Sequence, residues 1–272
     1  GDYAIKFEKE AEEGKYQYMV TDYPGTIGLR FNFINGGTSG LMSNVKIRKA
    51  ISYSIDREEM IDAVYGRYNP AYSYVAPAIT FNGSSYRDQV GEIMEDEYNE
   101  YVGDPDKIVA LFQEGLDELG VETPIEDITL TYLTSGSTTE VQAEREYIQQ
   151  SLEETLGLTV ELSVAGDTSL FIADRNEGNY DFFLGGWYSD YNDPLDFLYT
   201  NYTDAYGMSF GGYSNTDYDA LADQLVGETD MDKRLDIYKQ MEQILLLDDC
   251  AFAPIYYATK QVLLQNWVKD YR

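Results

Sequence analysis

The sequence predicts an α/β fold, because strand-like and helix-like patterns alternate along the chain. The clearest case spans residues 128–164, where alternating apolar residues are followed by a long helical pattern over 138–156 and a second alternating run over 158–164. This strand–helix–strand spacing is what a parallel crossover requires. The chain has 272 residues and 43% hydrophobic content, which is enough to bury a substantial core.

The first part of the chain shows one strand and two capped helices. Apolar and smaller or polar residues alternate over residues 26–32, as they do in a half-buried strand. Ser43 or Asn44 can cap the helix that follows. Asp56 with Glu59 has the spacing of a capping box, which predicts the start of the next helix.

Residues 82–103 are rich in Gly, Ser, Tyr and acidic residues and have no steady hydrophobic period. They therefore predict a surface excursion with few core contacts. Asp104 and Pro105 then have the pattern of an N-cap and a first helical residue. The apolar stripe that follows predicts a helix to about Leu119, with Gly120 as its stop.

The charge balance excludes one class of partner. The chain carries 19 basic and 49 acidic residues, which gives a formal net charge of −30. A surface of this sign repels phosphate backbones and anionic membrane surfaces, so nucleic acid is not expected as a partner. No apolar run reaches the ~18 residues of a membrane span.

The chain contains one cysteine and no histidine. A single cysteine cannot form an intrachain disulfide, and the apolar run before Cys250 favours a small buried filler over a nucleophile. The lack of histidine removes His-based triads, His general bases and most zinc sites. We therefore expect no catalytic residue, no metal and no cofactor.

Residues 185–198 form the most informative segment, with several aromatic rings, three carboxylates and residues that bend the backbone. The apolar run 180–184 predicts a strand that leads into the segment, and the two glycines at its start predict a tight bend. Asp193 and Pro194 predict the N-cap and first position of a short helix. A rigid loop after a strand is a common place for binding groups in α/β proteins.

Four residues of this loop are the main candidates for ligand binding. Trp187 offers a flat apolar wall and Asp190 an anionic acceptor, which together suit an ammonium group beside apolar atoms. Tyr188 and Tyr191 add two further rings. Taken singly, each residue is more commonly a core Trp or a turn-capping Asp. The combination suggests recognition of amines or peptides, and the chemistry of the residues alone leaves the two explanations equally open.

An enzyme is the main rival hypothesis. Asp190, Asp193 and Asp196 could include the acid and the nucleophile of a glycosidase, which needs two carboxylates flanking a sugar bond. The spacing argues against this, because Asp193 is better explained as a helix cap and no second carboxylate stands in comparable context. A cell-surface adhesion or interaction module is a third class, which no residue pattern supports.

The loop also resembles a known signature. The pattern Gly-Trp-x-x-Asp-Tyr-x-x-Pro-x-x-Phe-Leu at 186–198 is similar to that of the bacterial extracellular solute-binding proteins of family 5, which serve peptide and nickel ABC transporters. Further segments resemble the family in its own order, and the resemblance runs from about residue 27 to about residue 268. These segments are 45–57, 70–77, 213–221, 233–238 and 254–257.

The resemblance implies an architecture. The whole chain, residues 1–272, would be a single α/β ligand-binding lobe of the type II periplasmic-binding-protein-like kind, with a mixed sheet flanked by helices. It would be the C-terminal lobe of a two-lobe protein whose N-terminal lobe is absent here. The full protein would be extracytoplasmic, either as a cell-surface lipoprotein or in the periplasm.

The resemblance also implies a function without chemistry. The protein would capture a peptide between its lobes and deliver it to the permease subunits of an ABC importer. An oligosaccharide is the alternative ligand within the same family, and a carboxylate-dependent glycoside hydrolase is the alternative of a different class. A pocket lined by several rings with no carboxylate facing it would favour a sugar.

Individual residues acquire expected roles from the resemblance. The peptide ammonium would pair with Asp190, and its main chain or first side chain would lie against Trp187. The turn 134–137 is explained by a helix cap or by an anion site, and relatives bring this stretch towards the far end of the ligand. Three further groups of residues are candidates: Ser135 and Ser137 in that turn, Arg175 for a peptide carboxylate, and Tyr256 near the cleft between lobes.

The adjacent residues Tyr256 and Tyr257 follow an apolar run that predicts a buried strand. Strand side chains alternate between faces, so one ring is expected to point inward and the other outward.

Overall fold

The structure, a computed structural model, describes residues 2–205 and 210–269, so the extreme ends of the predicted lobe lie outside the described residues. Its strands are β1 (Tyr16–Phe31), β2 (Asn69–Pro70), β3 (Thr80–Phe81), β4 (Ser84–Ser85), β5 (Thr129–Ser135), β6 (Thr159–Ala165), β7 (Phe182–Tyr188) and β8 (Phe252–Gln265).

The α-helices are α1 (Asp2–Glu12), α2 (Val45–Tyr53), α3 (Arg57–Met60), α4 (Tyr86–Val90), α5 (Glu95–Tyr101), α6 (Pro105–Leu119), α7 (Thr139–Leu156), α8 (Thr168–Glu177), α9 (Pro194–Leu198), α10 (Thr216–Gln224) and α11 (Met231–Gln243). Short 3₁₀ turns occur at Ile34–Gly36, Leu41–Ser43, Ile125–Asp127, Tyr199–Asn201 and Phe210–Gly212, and π turns at Ile61–Tyr65 and Ile244–Asp248.

The central sheet has the strand order β2–β8–β1–β7–β5–β6. Strand β5 is parallel to β6 and β7, whereas β1 is antiparallel to β7 and β8, and β2 is antiparallel to β8. Strands β3 and β4 form a separate hairpin. The prediction of an α/β fold with a mixed sheet flanked by helices is confirmed.

The predicted crossover is the unit β5–α7–β6. The Thr138 side chain accepts a hydrogen bond from the backbone N–H of Val141 and starts α7, and Gly157 ends the helix in the left-handed conformation, with φ of 76°. The two parallel strands pair in register from Thr129–Thr159 to Ser135–Ala165. Local capping signals therefore set the ends of this unit as the sequence predicts.

Strands β1 and β8 extend beyond the rest of the sheet as a two-stranded ribbon. Residues 16–22 of β1 pair with residues 259–265 of β8, whereas the pairing of β1 with β7 begins only at Gly25. The first and last strands of the described chain are therefore neighbours over almost their whole length.

Helices cover both faces of the sheet, so two large cores form. Tyr256 points into the core beneath α2, α6 and α7, and Tyr257 points into the core beneath α10 and α11. The alternation is as predicted, but the expectation of one outward ring is wrong. Tyr256 is 7% exposed and Tyr257 is 3% exposed, because neither face of the sheet here meets solvent.

Residues 82–103 are not the surface excursion that the sequence predicts. Tyr86, Met94 and Tyr98 from this segment are buried in the cores. The segment consists of the end of a small hairpin and the short helices α4 and α5. Each short element contributes one or two buried residues, so no hydrophobic period arises for the sequence to show.

The predicted bend at the two glycines of β7 is also absent. Gly185 and Gly186 lie inside the strand, opposite Gly28 and Ile27 of β1. A Cβ atom on Gly186 would lie 1.9 Å from the carbonyl oxygen of Thr26. These glycines therefore permit close approach of two strands instead of a turn.

The buried carboxylate of Glu242 connects α11 to residues 74–75 and to α4. Glu242 is fully buried, and its Oε1 accepts hydrogen bonds from the backbone N–H groups of Tyr74 at 3.0 Å and Val75 at 2.9 Å. Its Oε2 accepts the Tyr86 hydroxyl at 3.0 Å and the Arg87 guanidinium. The negative charge is thus matched by one cation and three further donors.

Replacing Glu242 with Ala should lower the free energy of unfolding by about 3–5 kcal/mol, because Arg87 would remain buried without its counter-charge. Urea unfolding followed by circular dichroism measures the loss. The matched control is Glu114→Ala, which breaks an exposed pair with Lys46 at 2.7 Å and should cost less than about 1 kcal/mol. Equal losses of unfolding free energy in the two variants would contradict the role of Glu242 as the counter-charge of Arg87.

A second carboxylate lies at the edge of the other core. Glu144 of α7 accepts a hydrogen bond from the hydroxyl of Tyr65, whose ring packs 4.9 Å from that of Tyr256. Burial raises the pKa of Glu144 to about 7, the Tyr65 hydrogen bond lowers it in part, and the charge of Glu140 raises it. This carboxyl therefore titrates near neutral pH in the folded protein.

This pKa predicts a pH-dependent stability. The native Glu144 carboxyl holds its proton more tightly than in the unfolded chain, so the free energy of unfolding falls as pH rises from about 4.5 to about 7. The expected fall is about 2–3 kcal/mol. Glu144→Gln should remove this part of the decline, as measured by urea midpoints from pH 5 to 8.

The exposed Glu146 of the same helix supplies the control, since Glu146→Gln should leave the pH profile nearly unchanged. A Glu144→Gln variant with the same decline as the parent protein would show that another group is responsible.

Candidate functional site

The parallel strands bring several predicted residues to one edge of the sheet. Strands β5, β6 and β7 run in the same direction, so their carboxyl ends meet at the same edge. Ser135 is the last residue of β5, and Ser137 lies in the exposed turn before α7. The loop with Asp190 follows the end of β7.

One buried carboxylate fixes the geometry of that loop. Asp196 is 7% exposed, and its Oδ2 accepts a hydrogen bond from Trp187 Nε1 at 2.8 Å and another from the backbone N–H of Asp190 at 2.9 Å. The indole is partly buried against the core beneath α11. Sequence reasoning missed this positioning role, and the usable signal was a carboxylate in the first turn of a short helix.

The three carboxylates of the loop have different environments. Asp193 Oδ1 accepts the backbone N–H of Leu195 at 2.8 Å and the hydroxyl of Tyr238 at 2.9 Å, so its predicted capping role is confirmed. Asp190 is exposed, and within the described chain its carboxylate accepts no hydrogen bond and forms no ion pair. Asp190 is thus the loop carboxylate available to a ligand.

The side of β7 that faces β5 is only partly paired. The ladder between the two strands consists of Tyr132–Phe182 and Leu133–Phe183, whereas β5 stays paired with β6 as far as Ser135. Residues 184–187 of β7 are half-buried and have no ladder partner on that side among the described residues. A strand edge of this kind can accept the main chain of an extended peptide.

Tyr188 lies on the opposite face of β7 from Trp187, because successive strand side chains alternate. Its side chain is 49% exposed and borders a cavity of about 630 Å³ that Tyr23, Tyr68 and Lys260 also line. Neither Trp187 nor Asp190 lines this cavity. The loop therefore presents its predicted binding residues on two sides.

The remaining candidates lie in different places. Tyr191 is 53% exposed in the loop. Tyr256 is buried behind the cavity, with its ring stacked on that of Tyr68 at 4.4 Å and 2° between planes. Arg175 lies in the last turn of α8, near Tyr180, which precedes β7. Burial raises the pKa of the Tyr180 hydroxyl to about 12, and the charge of Arg175 lowers it in part.

The described residues contain no group of three or more His, Cys, Asp or Glu side chains arranged to hold a metal ion. Within the same residues, no helix has the length and apolar character needed to cross a membrane.

The chain is similar in sequence to known proteins that are named as peptide-binding proteins. The chain is 30% identical over 234 residues to the oligopeptide-binding protein OppA of Bacillus subtilis, covering 84% of this chain and 39% of that protein. It is 30% identical over 249 residues to the dipeptide-binding protein DppE of the same organism, covering 91% and 42%. The chain thus spans less than half the length of these relatives.

Solved structures agree with the fold. OppA of Listeria monocytogenes bound to peptide matches with a TM-score of 0.75 and 30% identity, covering 97% of this chain and 49% of that chain. The substrate-binding domain of an oligopeptide ABC transporter from Bacillus anthracis matches with a TM-score of 0.80 and 24% identity, covering 95% and 48%. The predicted periplasmic-binding-protein-like fold is confirmed.

The family itself is identified by a sequence model that matches residues 3–209, described as bacterial extracellular solute-binding proteins, family 5 middle. The family consists of solute-binding proteins, so the expectation that this chain is not an enzyme is confirmed. The chain belongs to family 5 of the bacterial extracellular solute-binding proteins.

Proposed function

We propose that this chain is the ligand-binding lobe of a peptide-capturing component of an ABC importer. Relatives named as oligopeptide- and dipeptide-binding proteins, and a similar structure solved with peptide bound, support a substrate-binding role. The ligand is held reversibly and released unchanged. The first lobe of the same protein supplies the other wall of the site, and permease subunits receive the ligand.

The observation that carries this proposal is the outward carboxylate of Asp190 beside a fixed indole. Asp196 holds both the Trp187 ring and the backbone of residue 190, so the carboxylate is offered without reorganisation. A peptide ammonium can form a charge-assisted hydrogen bond with it. Closure of a second lobe removes water and strengthens that pair.

The open edge of β7 can bind the rest of the peptide. A ligand whose ammonium lies at Asp190 can run beside residues 184–187 and use their free backbone groups. Arg175 and the turn with Ser135 and Ser137 remain candidates for the far end of the ligand. The net charge of −30 adds a weak general attraction for cationic groups.

The full-length protein acts outside the cytoplasm, in keeping with relatives named as periplasmic binding proteins. Attachment to the cell surface as a lipoprotein and free diffusion in the periplasm are the two arrangements consistent with this role.

An oligosaccharide is the second candidate ligand. The cavity beside Tyr188 supports it, because three tyrosines line the cavity and no carboxylate does. The loop with Asp190 favours a peptide instead, since an ammonium forms a charge-assisted hydrogen bond with a carboxylate, which is stronger than the bond from a neutral sugar hydroxyl, and an open strand edge suits a peptide main chain.

Asp190→Asn in the full-length protein should weaken binding of a free-amine peptide about 10- to 100-fold, because the ammonium loses a charge-assisted partner. Isothermal titration calorimetry measures this. The same peptide with an acetylated amine should bind both proteins equally weakly. Asp127→Asn is the control, since Asp127 is exposed just before β5 begins, at the opposite edge of the sheet.

A wild-type protein that does not distinguish the free from the acetylated peptide would contradict the role of Asp190. Binding of a neutral oligosaccharide in place of any peptide would establish the second candidate.

The 272-residue chain alone should bind peptide at least ~100-fold more weakly than the full-length protein, because without a second lobe the ammonium pair stays in water. Calorimetry on the two proteins with one peptide checks this. Micromolar binding by the isolated chain would show that one lobe suffices.

A further inference from the structure

The cavity beside Tyr188 is separate from the side of the loop that holds Asp190. It lies where β1 bulges away from β8, with Tyr23, Pro24 and Gly25 opposite the single residue Ala258. Its volume of about 630 Å³ is within the range of small-molecule pockets, roughly 300–1,000 Å³. The bulge therefore makes room for a group the size of a side chain or larger.

The walls of the cavity are aromatic and held in place. The Tyr68 ring stacks on buried Tyr256, and the Tyr188 ring lies so close over Gly25 that a Cβ atom there would be 2.3 Å from it. The ring centroids of Tyr23 and Tyr188 are 5.7 Å apart. The three tyrosine rings are therefore in place before a ligand binds.

The two charged residues that line the cavity are basic, in contrast to the acidic chain as a whole. Arg67 and Lys260 line it, and no Asp or Glu does. Arg67 is 2.5 Å from Glu140, so its charge is largely balanced. Lys260 is exposed and forms no ion pair within the described chain, so it is the cation available to a guest.

Tyrosine rings alone would also suit a cationic guest. The unpaired ammonium of Lys260 repels a cationic ligand and attracts an anionic one. The combination of flat walls and one free cation therefore selects a ring that carries, or lies next to, an anionic group.

We propose that this cavity is a second ligand pocket, which takes an aromatic side chain of the bound peptide together with an adjacent carboxylate. This inference rests on the proposed function, because the ring and the carboxylate would belong to the captured peptide. It places the preference for peptide sequence on the Tyr188 side of β7, whereas Asp190 recognises the amine on the other side.

The test uses probes without an ammonium group, so that it does not depend on Asp190. N-acetyl-phenylalanine carries a ring and a carboxylate, and N-acetyl-phenylalanine amide carries the ring alone. In ¹H–¹⁵N spectra of the 272-residue chain, titration with the acid should shift the amide signals of Thr259 and Lys260 saturably. The acid should bind about fivefold more tightly than the amide.

Lys260→Glu should abolish the preference for the acid, whereas Lys239→Glu should keep it. Lys239 is an exposed lysine of α11, so its replacement changes the net charge equally without touching the cavity. Tyr23→Ala should weaken both probes about fivefold by removing one wall, and because Tyr23 is 41% exposed this variant should fold.

Asp190→Asn should leave the binding of both probes unchanged, which separates this test from that of the proposed function. The inference is overturned if the two lysine variants lose the preference equally, if the shifted signals lie away from the cavity, or if a neutral oligosaccharide shifts the same amides more strongly than either probe.

Discussion

The geometry of the loop after β7 depends on one oxygen atom of Asp196. That atom accepts a hydrogen bond from the indole of Trp187 and another from the backbone of Asp190, at 2.8 and 2.9 Å. The two donors would otherwise be left without an acceptor in a partly buried place, which is costly. The ring, the loop backbone and the direction of the free carboxylate are therefore set by one buried acid.

Other buried acids of this acidic chain serve as internal acceptors in the same way. Asp181 is fully buried and accepts the backbone N–H and the hydroxyl of Ser39 at 2.8 and 2.7 Å, and the backbone N–H of Thr131 at 2.7 Å. Burial raises the pKa of Asp181 and these hydrogen bonds lower it. Glu242 has a cation as well as neutral donors. Acidic residues thus serve the scaffold as acceptors and the site as a free charge.

Local sequence signals predicted the ends of elements well. The caps at Asn44, Asp104 and Asp193 each accept a backbone N–H of the helix that they begin. Such signals depend only on neighbouring residues, so they can be read without knowing the fold. The resemblance to a solute-binding family supplied the choice of Asp190 and Trp187, which local chemistry left undecided.

What could not be predicted depends on contacts between distant segments. Gly186 is explained by the approach of β1, the buried residues of 82–103 by cores built from other elements, and the open edge of β7 by where β5 separates from it. The shared acceptor of Trp187 and Asp190 also depends on the position of α9 beside β7. No period or spacing in the sequence carries this information.

The position of β8 in the sheet has a consequence for how the chain is made. Among the described residues this strand is the last in sequence, yet in the sheet it lies between β2 and β1, which come early in the chain. During synthesis the edges of β1 and β2 that pair with β8 stay unpaired until residues 252–265 have been made, some two hundred residues later. Native contacts of such long sequence separation form slowly, so the nascent lobe is vulnerable to aggregation until its final strand arrives.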